Sequence, residues 1–70
     1  MKLSARNALK GKVKRIIPGA VNSEVMVDLG GGVQITAIIT KTSVENLDLK
    51  EGKEVVAVIK ATNVMIGVED

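Results

Sequence analysis

Residues 24–40 read EVMVDLGGGVQITAIIT, and the alternation in that run decides the fold class. Val25, Val27 and Leu29 alternate with Glu24, Met26 and Asp28, the pattern of a strand with one buried face. The run then repeats the pattern, with Val33, Ile35, Ala37 and Ile39 on one side and Gln34, Thr36, Ile38 and Thr40 on the other. That second side is only half polar. Between the two runs stand Gly30, Gly31 and Gly32, which predict a tight hairpin turn or bulge. A phosphate-cradling loop is the other use of such a triplet, but no helix opening with Lys-Ser/Thr follows it.

Outward from this hairpin the same period of two continues. The basic run NALKGKVKRII (7–17) reads as a strand that Pro18 and Gly19 end, since proline cannot donate to a ladder and glycine turns freely. EVVAVIK (54–60) puts Val55, Ala57 and Ile59 on one face and Val56 and Val58 on the other, so it is expected to be covered on both, with Lys60 at its end. The helical signal is TSVENL (42–47), where Thr42 and Glu45 are spaced as a capping box. A polar turn surrounds Gly52, and ATNVMIGV (61–68) reads as a short turn and a last strand. The expected elements are five strands near 5–17, 23–29, 33–40, 54–60 and 64–68, with a short helix between the third and fourth. That is the order of an all-β, OB-like five-stranded barrel, with an open small sandwich as the alternative. Residues 1–70 form a single domain.

A domain of 70 residues removes only about 60% of its unfolded surface from water and needs reinforcement. With no Cys and no His, disulfides and most structural metals are excluded. Association remains. The chain is 46% hydrophobic, so part of its apolar surface is expected to face another copy in a closed, symmetric homo-oligomer. No apolar run approaches the length of a membrane span and no signal-peptide pattern opens the chain, so a cytoplasmic protein is expected.

Charge is placed unevenly. Lys2, Arg6, Lys10, Lys12, Lys14 and Arg15 occupy residues 1–17 with no acid among them, whereas all eight acids lie from Glu24 onward. The formal net charge is nevertheless only +2, which gives nucleic acid a weak phosphate term. Aromatic rings, on which OB-type barrels stack bases, are absent. A module for nucleic-acid or protein interaction is therefore the second reading. Catalysis is not expected, since no His or Cys can serve as base or nucleophile. Bare metal cations lack ligands as well.

Small-anion binding fits what is left. A tetrahedral dianion takes charge-assisted donors, hydroxyls and backbone N–H groups, with no acid nearby. Ser4, Arg6, Thr40, Ser43 and Lys60 supply such donors at strand ends and turns, and they are far enough apart in sequence that the fold or two subunits must gather them.

The stretches SARNALKGKV (4–13), EVMVDLGGG (24–32) and ITAIITKTSVENLDLKEGKEVVAVIKATNVMI (35–66) closely resemble the molbindins, the small molybdate-binding Mop proteins with a TOBE-type domain. The same domain also ends molybdate-responsive regulators and molybdate-transporter ATPases, and the length here resembles the stand-alone form. The resemblance implies strands swapped between subunits, dimers assembled into a homohexamer, and molybdate or tungstate held at subunit interfaces without any cofactor. It implies a site in which Ser4, Ala5 and Arg6 of one chain meet Thr40, Ser43, Lys60 and Ala61 of its neighbour. Ala5 and Ala61 would act through their N–H groups, and Ala61 stands where the family often has Ser. A second class of interface site is expected at the turn Gly19, Ala20, Val21 and Asn22. The role implied is storage or homeostasis of molybdenum.

Overall fold

In a computed structural model of all 70 residues, the alternating run forms the hairpin it predicts. β2 (Asn22–Gly30) and β3 (Val33–Thr40) pair antiparallel from Asn22 opposite Thr40 to Gly30 opposite Val33. Gly30, Gly31 and Gly32 take φ of 90°, 60° and 82°, a succession in the left-handed region that only glycine adopts without strain. The Asp28 carboxylate accepts the Gly30 N–H at 2.8 Å and holds the entry to the turn.

β1 (Asn7–Pro18) lies between β2 and β4 (Glu54–Ile59), giving an antiparallel sheet in the order β3-β2-β1-β4. Its register against β2 slips between Val13 and Arg15, so Lys14 is the extra residue of a bulge. Bulges bend a strand and increase its twist. The sheet curls over Val13, Val25 and Val27, the only buried apolar residues, with Ile16, Leu29, Ile35, Ile39, Val44, Leu49 and Val55 packed around them. Gly11 faces this core where β1 and β2 approach closely, and a Cβ there would stand 2.5 Å from the Asp28 carbonyl oxygen.

The helix α1 (Lys41–Asn46) falls between β3 and β4 as expected, but its cap differs. β3 runs to Thr40, so the hydroxyl at the junction is that of Thr40, which accepts the Ser43 N–H at 3.0 Å. Thr42 lies inside the first turn, where its side chain caps nothing. At the other end Lys53 donates to the carbonyls of Leu47 and Asp48 at 2.7 and 3.1 Å, a cation where the helix dipole favours one.

Two expectations fail within the chain. Residues 64–68 pair with no strand; after a 3-10 turn (Ala61–Asn63) the chain continues without a partner, and Met65, Ile66 and Val68 are each about nine-tenths exposed. β4 is an edge strand rather than one covered on both faces, and Val58 is exposed. The cause is the same. With no fifth strand to close the barrel, an apolar trough of about 290 Å³ stays open between β3 and β4, floored by Val25 and Val27 and walled by Ile35, Ile39, Val55 and Ile59. The accessible surface is 5766 Å², whereas a compact monomer of this mass exposes about 4,200 Å². The radius of gyration, 12.9 Å, exceeds the roughly 11 Å of a compact 70-residue domain.

Candidate functional site

The β1–β4 ladder runs from Lys12 opposite Glu54 to Asn7 opposite Ile59 and stops there. One more step of the same register would set Arg6 opposite Lys60, then Ala5 opposite Ala61 and Ser4 opposite Thr62. Instead the second arm turns away, with the Lys60 and Ala61 carbonyls accepting the N–H groups of Asn63 and Val64 at 2.9 and 3.3 Å. The two arms splay into a fork, and Ser4, Ala5, Arg6, Lys60, Ala61 and Thr62 line an open cleft of about 390 Å³ within it.

The chemistry of this cleft follows from the interrupted ladder. In an antiparallel pair every second residue pair exchanges hydrogen bonds. Val13 donates to the Lys53 carbonyl at 2.9 Å, so Asn7 and Ile59 fall on such a rung and Ala5 and Ala61 would form the next. The N–H groups of Ala5, Arg6, Ala61 and Thr62 donate to no carbonyl of the chain. Unpaired amides beside a guanidinium and an ammonium, with hydroxyls at Ser4 and Thr62 and no acid in the lining, form an anion receptor. Arg6 offers a flat fork of donors and Lys60 a point charge. Thr62 was missed in the sequence because only the register places it in line with Ser4.

The remaining expected donors stand elsewhere. Thr40 pairs with Asn22, and the Lys41 N–H donates to the Val21 carbonyl at 2.8 Å, which ties the start of α1 to the turn 19–22. Thr40, Ser43, Gly19, Ala20, Val21 and Asn22 therefore make one second group. Gly19 is required there, because a Cβ would collide with the Asn22 carbonyl oxygen. The hydroxyls of Thr40 and Ser43 are 2.8 Å apart and share one proton between them, so the pair retains a single hydroxyl donor for anything outside.

The two groups lie at opposite ends of β1. The fork lies before Asn7 and the helix cap beside Pro18, but β1 bends at its bulge, and Ile39 and Ile59, which precede Thr40 and Lys60, line the same trough. Within one chain Ser4, Ala5, Arg6, Lys60 and Ala61 line one cleft, and Thr40 with Ser43 forms a separate group at the start of α1. The strand registers, invisible in a linear reading, decide this. The acids form no group of three or more that could hold a metal ion, and no helix is long and apolar enough to cross a membrane.

Comparison with known proteins adds to this geometry. Residues 3–66 match the model of the TOBE domain. A probable molybdenum-pterin-binding protein of Haemophilus influenzae is 52% identical, over 99% of this chain and 100% of its own length. MopII of Clostridium pasteurianum superposes with a TM-score of 0.89 at 51% identity, over 96% of this chain and all of its own. The cytoplasmic molybdate-binding protein ModG, solved with molybdate bound, superposes with a TM-score of 0.93 at 54% identity, and 99% of this chain covers 49% of that one.

Proposed function

Because the chain belongs to the TOBE domain family, we propose that it binds molybdate as the intact oxyanion, at sites completed between copies of the chain. The observation that carries this reading is the open fork, in which unpaired backbone N–H groups stand beside Arg6 and Lys60 with no acid in the lining. The cleft is open, and in the assembly Ser4, Ala5, Arg6, Lys60, Ala61 and Thr62 of one copy meet Thr40 and Ser43 of another. The turn 19–22, beside that second group, forms the other class of anion site.

The exposed surface supports assembly. About 1,500 Å² more than a compact monomer exposes is the scale of surface that stable interfaces cover. Residues 64–68 of one copy lie in the apolar trough of the next as the missing fifth strand, and dimers swapped in this way build a hexamer. The reciprocal exchange buries the tail and removes both open sheet edges at once.

The donors suit an oxyanion whose metal arrives wrapped in oxygen. Hydrogen bonds to charged groups contribute about 1.5–3 kcal/mol each, so four or five of them reach the roughly 8 kcal/mol of micromolar binding after desolvation. Sulfate, being smaller, leaves donors unsatisfied, whereas tungstate matches in size and charge and binds too. A pterin would want a ring to stack on, and the chain has no aromatic residue. The protein is a cytoplasmic store or buffer of molybdenum. Equilibrium dialysis against molybdate, tungstate, sulfate and phosphate tests this: the first two are retained and the last two are not. Equal retention of all four, or a shifted oligonucleotide at physiological salt, would refute it.

A further inference from the structure

We propose that Asn7 is the positioning residue of the anion fork: its side-chain amide grips the opposite strand at the last rung and sets how far apart the two arms stand. The inference rests on the molybdate reading above and deepens it. The Asn7 amide nitrogen Nδ2 donates to the Ile59 carbonyl oxygen at 3.2 Å, joining residues 52 apart in sequence. Every other side-chain hydrogen bond in the chain joins residues six or fewer apart. It is the one side-chain hydrogen bond between strands, and it joins the immediate neighbours of Arg6 and Lys60.

Asparagine is poorly suited to a strand, where β-branched and aromatic residues pack better. Its presence at the first position of β1, half-buried, calls for a reason. The end of a ladder frays because its last rung has no neighbour beyond it. Loss of the Asn7–Ile59 rung would free each arm back to Leu9 and Ala57, about 7 Å more chain. Arg6 and Lys60 would then search a larger volume, and ordering them round an anion would cost more. Asn7 touches no anion in this scheme. It places a second hydrogen bond across the vertex, so the fork opens at Arg6 and Lys60 and no deeper.

Asn7→Ala tests the idea in the full chain, with Asn7→Asp as a second variant that keeps the shape but cannot donate at neutral pH. In the absence of ligand, backbone order parameters of Ala5, Arg6, Lys60 and Ala61 should fall in both variants while those of β2 and β3 stay at wild-type values. Calorimetry with sodium molybdate should show affinity weakened at least about tenfold. Lys60→Ala should cost less when added to Asn7→Ala than when made in the wild type, because the arm it truncates is already displaced. A merely structural asparagine would lower the melting midpoint and leave that coupling at zero. Unchanged order in the arms of both variants overturns the proposal, as does affinity within twofold of wild type. If the wild type itself fails to bind molybdate, the functional reading falls, and the ligand-free order parameters still decide whether Asn7 braces the fork.

Discussion

Arg6→Ala and Ser43→Ala chains, each defective alone, should restore one another when assembled together. Arg6 sits just before the first residue of β1 and Ser43 in the first turn of α1, which follows the end of β3 near Pro18. The two positions belong to different donor groups, and the proposed site takes one group from each of two copies. Removing a donor to a charged group costs about 1.5–3 kcal/mol, or roughly 10- to 150-fold in affinity. In an equimolar mixture assembled at random, a site takes its fork from a Ser43→Ala copy and its helix cap from an Arg6→Ala copy in about one case in four. Those sites carry every donor. Molybdate calorimetry on the mixture, with co-assembly verified by native mass spectrometry, should therefore show about a quarter of the wild-type number of sites at wild-type affinity. Each parent alone should show none. If verified mixed assemblies contain no such fraction, the site draws its donors from one chain and the two-copy site is refuted.

Other perturbations follow from the packing. Gly11→Ala forces a methyl against the Asp28 carbonyl and the Val27 and Leu29 side chains, within a strand held on both sides, and should destabilise by about 1–3 kcal/mol. Thermal melts at fixed protein concentration check it, with an unchanged or raised midpoint the contrary result. Lys53→Met removes the cation from the end of α1 and should cost about 0.3–1 kcal/mol at low ionic strength, less at high salt. Urea midpoints at two salt concentrations measure both numbers. A chain shortened to residues 1–63 loses the segment assigned to the trough and should sediment as smaller species than the full chain. Identical profiles would remove that segment from the interface.

Local signals were legible where local physics decides. The hairpin of β2 and β3 could be read almost to the residue because alternation and a glycine triplet are properties of neighbours in sequence. The helix was legible as a helix but not in its cap, since the choice of Thr40 over Thr42 depends on how far β3 stays paired with β2. The fifth strand does not form within one chain, for a related reason. MIGV has the composition of a strand, but a strand needs a partner edge, and within this chain the segment pairs with none.

Read in order, the residues determined the kind of ligand: donors without acids, no thiolate or imidazole, and no ring for a base. They also determined that one copy would be an incomplete body, because so much apolar side chain cannot be hidden by so short a chain. Which donors act together was decided only in three dimensions. Strand register unites positions 4–6 with 60–62 and sets 40–43 beside the turn 19–22, and register is set by contacts between residues far apart in the sequence.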